Sequence, residues 1–327
     1  MSRVSVKKKA LDWLWTAFLR VYAKAAYIVP ISLARLSGRL LARLAYHVLR
    51  GRRRIGMSNL DRAYGDSLSR REKTTILKAS FANFGITAAE FSRIPDLHTE
   101  RGRHYVREEG IECIDRSQGG LIVGAHLANW EWMGPSLARL GFDVAEVVKE
   151  YRDPTRGDLI DAVRRSGGVE TIPKRRAAPK ILRALRKGTL VGLLIDQSAR
   201  QGARLVEVFG HPCWATGAPA YLALRTGVPV YIAWMKREKD GNYTGTVSGP
   251  VEFEKTGDLD ADVAAYTQLL QSAIESLIRD NPGQWTWTHN RWKARDELRN
   301  RTEVLSSESY ARTYAAAKTR EGQHPAK

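Results

Sequence analysis

Twelve residues, Leu121 to Trp132 (LIVGAHLANWEW), constrain this chain more than any other stretch. Leu121 to Ala125 form a short apolar run with a Gly inside it, the pattern of a strand buried on both faces of an α/β sheet. The run ends at His126, and helix-like spacing resumes through Met133, Leu137 and Leu140. His126 is therefore expected at the carboxyl end of a central strand, where open α/β sheets place their ligands. Glu131 follows after four intervening residues, in the first turn of the next helix, and can fold back towards the imidazole. A carboxylate on one ring nitrogen fixes the tautomer and leaves the other nitrogen free to take a proton. No Ser or Cys nucleophile is needed where a substrate brings its own hydroxyl. The alternative is a core His with a satisfied hydrogen bond and a Glu capping a helix. The position after an apolar strand, with Asn129 and two Trp residues around Glu131, favours a site.

The rest of the chain alternates strand and helix patterns. Helices are expected over Ile55 to Tyr64 and Ser69 to Phe91, the second opened by a Ser69/Glu72 capping box. Strands follow at Tyr105 to Gly110, Asp143 to Lys149, Val169 to Pro173, Thr189 to Ile195, Val228 to Lys236 and Thr244 to Phe253. Between and after them fall helices at Ile111 to Arg116, Asp153 to Gly167, Ala178 to Lys187, Ala218 to Thr226 and Leu259 to Arg279. The expected fold class is α/β, with a mostly parallel central sheet flanked by helices. Asp196 ends a buried strand as His126 does. The carboxyl ends of parallel strands meet on one edge, so Asp196 and Gln197 can reach the same cleft, although a helix or loop cap explains Asp196 as well.

Charge separates the N-terminus from this domain. Residues 1–60 hold 13 Lys and Arg against the single Asp12, two thirds of the net +18 of the whole chain. Leu11 to Val29 is apolar and aromatic, broken by Arg20 and Lys24. Ile31 to Arg50 sets Arg35, Arg39 and Arg43 against Leu33, Leu36, Leu40, Leu44 and Val48. Such basic amphipathic helices suit an anionic membrane surface, and aromatic residues sit at its headgroup level. No stretch reaches the ~18 uninterrupted apolar residues of a spanning helix, and no cleavable signal is evident. Nucleic acid is not the expected partner, because no sheet carries stacking aromatics in a recognised module. Cys113 and Cys213 lie far apart, which argues against a disulfide framework and a metal site. The organisation read from this is membrane-associating helices over 1–54, one domain over 55–300 and a polar tail over 301–327.

The His, four residues, Glu pattern after an apolar strand resembles the glycerolipid and lysophospholipid acyltransferases. Its wider context resembles the bacterial lipid A late acyltransferases, the lauroyl and myristoyl transferases. Leu193 to Gln197 (LLIDQ), Pro219 to Trp234 (PAYLALRTGVPVYIAW) and Trp287 to Lys293 (WTHNRWK) fit that resemblance.

The resemblance implies transfer of an acyl group from acyl carrier protein or acyl-CoA to a lipid hydroxyl at the cytoplasmic face of the inner membrane, with no cofactor. His126 is the expected general base and Glu131 its orienting partner. Asn129, Arg164, Asp196, Gln197 and Arg291 are the expected substrate contacts. Arg164 corresponds to a basic residue that meets phosphate or the acyl carbonyl, though a cation at a helix C-terminus needs no such role. Trp132, Met133, Phe209 and Trp214 can line an acyl channel or simply pack the core. An acyltransferase for another lysophospholipid or glycolipid, a thioesterase and a non-enzymatic basic membrane-binding protein remain as alternatives.

Overall fold

Strands that are apolar from end to end need cover on both faces, and the intervening helices supply it. In a computed structural model, residues 16–293 are described except for 18, 152, 176 and 201. Trp13, Trp15 and the tail after Asn300 lie outside the described residues. The expected first helix is helical over 19–28.

The central sheet has seven strands: β1 (Val106–Glu109), β2 (Gly120–Gly124), β3 (Val144–Val148), β4 (Val169–Pro173), β5 (Leu190–Leu194), β8 (Val230–Arg237) and β9 (Tyr243–Ser248). Their order is β1-β9-β8-β2-β5-β3-β4. Every neighbouring pair is parallel except β8 and β9. All five residues of β2 are buried. The fold is thus mixed α/β with a mostly parallel sheet.

The helices are α1 (Ile31–Val48), α2 (Arg50–Tyr64), α3 (Arg70–Glu90), α4 (Met133–Arg139), α5 (Pro154–Ser166), α6 (Ala178–Arg186), α7 (Ala218–Thr226) and α8 (Leu259–Asp280). The Ser69/Glu72 capping box opens α3 as expected. Gly227, left-handed at φ 75°, closes α7.

Four local expectations change. Residues 51–54, where Gly51 and three arginines read in the sequence as a basic turn, belong to α2, since arginine is a good helix former. Residues 111–116 form only a 3₁₀ turn at Ile111–Cys113. The strand expected to Phe253 stops at Ser248. An antiparallel hairpin, β6 (Ala203–Val208) with β7 (His211–Thr216), was not anticipated. Its two linking residues, Phe209 and Gly210, both take positive φ, as a tight primed turn requires. An aromatic residue there gives little turn signal.

α1 also sits differently from a helix with all its arginines in solvent. Its buried side is Ala34, Arg35, Gly38, Ala42 and Tyr46. A Cβ on Gly38 would lie 2.4 Å from the Gly85 carbonyl oxygen, and one on Gly85 would lie 2.3 Å from that of Gly38. Glycine at both positions lets α1 and α3 meet backbone to backbone. Arg35 is only 8% exposed and bonds Glu90 through Nε at 2.5 Å. Leu33, Leu36, Leu40, Leu44 and Val48 all face outward, Leu44 and Val48 being 61% and 64% exposed.

Candidate active site

β2 and β5 run parallel with Gly124 opposite Leu194. The Ile195 N–H continues the ladder to the Gly124 carbonyl at 3.0 Å. Two residues past Gly124 stands His126, and two past Leu194 stands Asp196. Side chains alternate faces with period two, so equal offsets from a register pair bring these two together. Asp196 Oδ1 lies 2.8 Å from His126 Nδ1, and Asp196 Oδ2 accepts the His126 backbone N–H at 3.0 Å. Trp285 Nε1 donates to the same Oδ2 at 2.8 Å.

Burial alone would raise the pKa of Asp196, which is 3% exposed. The His126 charge and the three donors outweigh burial and hold it at about 2. The carboxylate is therefore ionised, and Nδ1 must carry the proton it shares with Oδ1. Burial pulls the His126 pKa down, but the Asp196 carboxylate overrides it, so the net shift is upward. Nε2 is left with its lone pair, 3.2 Å from the Gln197 amide nitrogen. The Trp130 ring stands edge-on, 5.1 Å from the imidazole centroid. The His126 side chain is 22% exposed, so the ring is partly open to solvent.

Glu131 is elsewhere. Its two oxygens take a bidentate fork from Arg164, at 2.9 Å from Nε and 2.8 Å from Nη2. The structure thus puts Asp196, not Glu131, on the imidazole. A carboxylate five residues past His126 lies in the 3₁₀ turn Trp130–Trp132, and it meets α5 rather than folding back. Arg164 correspondingly faces protein carboxylates: Glu131, Glu146 at 3.9 Å and Asp161 at 3.7 Å. Glu146, on β3, has its pKa pushed up to about 8, first by burial and then by Glu131, with Arg164 opposing.

The loop between β2 and Glu131 is held by one side of α3. Ser80, Asn83, Thr87 and Glu90 recur at helical spacing and are all buried. The Ala128 carbonyl accepts from Asn83 Nδ2 at 3.0 Å and from Thr87 Oγ1 at 2.9 Å. Ala128 takes φ 49°, a conformation that costs a non-Gly residue about 1–3 kcal/mol and persists only under such restraint. Glu90, fully buried, receives Asn129 Nδ2 at 2.9 Å and the Tyr243 hydroxyl at 2.5 Å. Behind His126, Thr286 donates its N–H and its hydroxyl to the His126 carbonyl, each at 3.2 Å.

Of the residues read as substrate contacts, Gln197 borders Nε2 and Asp196 serves His126 itself. Two others are buried among protein groups. Asn129 is buried with its amide on Glu90, and Arg291, 1% exposed, spans the Trp214 carbonyl at 2.7 Å and Gln271 Oε1 at 3.0 Å. Both hold protein to protein. Trp132 stacks on Tyr105 in the core, and Phe209 packs on Trp287, so neither lines a channel.

The sequence reading missed Trp285, Thr286 and the polar side of α3. The last was detectable, because four polar residues on one side of the otherwise apolar second half of the helix imply buried partners. Replacing Asn83 by Ala and Thr87 by Val together should cost about 1–3 kcal/mol by orphaning a buried carbonyl. It should also lower kcat with little change in KM as His126 loosens. Chemical denaturation and steady-state kinetics check both. Unchanged kcat at reduced stability would limit these residues to a structural role.

Known proteins resemble this chain along most of its length. Residues 2–294 match the family described as bacterial lipid A biosynthesis acyltransferase. A lipid A biosynthesis acyltransferase of Haemophilus influenzae is 26% identical, over 88% of this chain and 91% of that protein. A lipid A biosynthesis palmitoleoyltransferase of Escherichia coli is 25% identical, over 87% of this chain and 92% of its own length. A phosphatidylinositol mannoside acyltransferase of Mycolicibacterium smegmatis is 22% identical, over 69% and 76%. With nearly its whole length in the match, this chain belongs to the bacterial lipid A biosynthesis acyltransferase family and is an acyltransferase.

Proposed function

We propose that the protein moves a fatty acyl group from a thioester, of acyl carrier protein or coenzyme A, to a hydroxyl of a lipid A precursor. The observation that carries the mechanism is the His126–Asp196 pair at the carboxyl edge of the sheet, with Nε2 turned away from the carboxylate. The acceptor hydroxyl displaces the Gln197 amide and donates its proton to Nε2 as its oxygen attacks the thioester carbonyl. A new C–O bond forms, and the carbonyl becomes an oxyanion. Collapse of that intermediate breaks the C–S bond, and the imidazolium returns its proton to the departing thiolate. Asp196 stabilises the imidazolium in between, while Glu131 and Arg164 fix the wall beside Trp130. A base so placed contributes about 10²–10⁴-fold.

The acceptor class is supported by the names of the relatives from Haemophilus influenzae and Escherichia coli. A second reading, a mannosylated phosphoinositide or another glycolipid acceptor, is favoured by the mycobacterial relative. Docking on the cytoplasmic face of an anionic membrane is supported by the outward leucines of α1 and the charge of the N-terminal segment. Among the described residues no helix is long and apolar enough to cross a membrane.

His126→Ala should lower acyl transfer to a lipid A precursor by about 10²-fold or more, measured as thiol release together with mass spectrometry of the lipid product. Turnover near that of the unaltered enzyme would remove His126 as the base. Free fatty acid in place of acylated lipid would reassign the chemistry to thioester hydrolysis.

A further inference from the structure

A polar cleft lies between the C-terminal end of α1, α2 and the first turns of α3, and none of the residues around His126 lines it. It encloses roughly 470 Å³. Four guanidinium groups line it, those of Arg50, Arg53, Arg54 and Arg70, against the one carboxylate of Asp61. That carboxylate is already engaged by Arg70 at 3.3 Å and Lys73 at 3.0 Å. Arg53 is held by the Tyr46 carbonyl at 3.4 Å and by the Tyr46 ring. Arg50 and Arg54 make no ion pair among the described residues. The cleft thus presents an uncompensated cluster of fork-shaped donors, with the Ser58 hydroxyl beside it.

Its relation to the catalytic end follows from helix geometry. Arg50, Arg54, Ser58 and Asp61 share one side of α2. Arg52 and Asn59 lie on the other side. There Asn59 Nδ2 donates to the Trp287 and His289 carbonyls at 2.8 and 2.6 Å, and Arg52 Nη1 to the Thr288 carbonyl at 3.3 Å. The helix therefore separates the cleft from the segment behind His126. From α1 the cleft takes Tyr46, while Leu44 and Val48, two residues to either side, are exposed on the opposite face of that helix.

We infer that this cleft is a binding site for a phosphate monoester, presented either as a lipid headgroup or as free phosphate. Arginine side chains gathered round one concavity, Arg50 and Arg54 among them without an ion pair among the described residues, suit a dianion with three acceptor oxygens better than a singly charged group. The volume takes one headgroup and not a polymer. The inference needs neither acyl transfer nor His126.

The test uses the full-length protein and sedimentable phosphatidylcholine vesicles. These carry phosphatidic acid, a monoester, or phosphatidylglycerol, a diester, at matched surface charge. The unaltered protein should prefer phosphatidic acid, and the preference should fade as pH drops through about 6, where a phosphate monoester takes up its second proton. Arg50→Gln with Arg54→Gln should weaken phosphatidic acid binding by about tenfold or more, with a smaller change for phosphatidylglycerol. Arg183→Gln with Arg186→Gln, which removes two exposed charges from α6, should leave the preference intact, as should His126→Ala.

Inorganic phosphate should compete the preference away. Free phosphate binding as tightly as the vesicles would make it the ligand, whereas much tighter vesicle binding makes the lipid headgroup the ligand. The inference is overturned by an absent monoester preference or by a preference that survives in the Arg50/Arg54 variant or in saturating phosphate. Equal losses for both lipids overturn it as well, because they reduce the cleft to general surface charge. Loss of turnover in His126→Ala with phosphate preference retained would separate this site from the proposed chemistry.

Discussion

Asp196→Asn is expected to lower turnover by about 10³–10⁴-fold, the largest effect of any single substitution short of removing the imidazole. An Asn amide can present N–H to Nδ1. The ring then carries its proton on Nε2, the atom that must receive one. The loss should have a distinct pH signature. His126 acts as a base only when neutral, and its pKa lies above 6.5 because the Asp196 carboxylate overrides burial. Activity of the unaltered enzyme should therefore fall on the acid side with a midpoint above 6.5. Without the Asp196 carboxylate only the smaller pull of Glu131 opposes burial and Arg164, and the midpoint should move down. The pH profile of kcat/KM for the two proteins decides this. Glu131→Gln, by contrast, should leave the tautomer alone and keep most of the midpoint. The opposite pattern, with Asn tolerated at 196 and the midpoint lost at 131, would return the orienting role to Glu131.

Arg164→Met is expected to destabilise the fold by about 3–5 kcal/mol, because it strands carboxylates that are mostly buried, Glu131 being 13% and Glu146 20% exposed. That corresponds to a fall in Tm on the order of 10 °C. Glu131 would lose its bidentate partner. Glu146, whose pKa is already raised to about 8 by burial and by Glu131, would lose the cation that opposes the rise. Adding Glu131→Gln to Arg164→Met should recover part of the loss, so the double variant should be more stable than the sum of the singles. Thermal unfolding of the four proteins tests the coupling. Strict additivity would show that the fork contributes nothing as a pair.

Much of this was legible in the sequence because it is local. The apolar runs at Leu121 and Thr189 marked two buried strands, and the residues that end them are the two that meet. What the sequence could not supply was the pairing. A carboxylate five positions from a His is a nearer candidate than one seventy positions away. Only the register of Gly124 with Leu194 makes the distant one the neighbour. The burial of Arg291 and Asn129 was hidden for a related reason. Polar residues in a motif read as exposed, yet each spends its hydrogen bonds joining segments far apart in the chain. The hairpin at Phe209–Gly210 escaped because an aromatic residue occupies a turn position usually marked by Asn, Asp or Gly.

The Gly38–Gly85 crossing has a geometric result. Two helices whose main chains touch cannot slide or tilt apart without losing that fit, and α3 in turn grips the loop bearing His126. A leucine-faced α1 lying on a bilayer would then act as a ruler: the imidazole stands at one fixed height above the acyl chains. Which alcohol on an acceptor gets modified would depend on how far that alcohol protrudes from the bilayer surface. Alanine at either glycine should shift that height, and with it the position acylated, before it alters the chemistry.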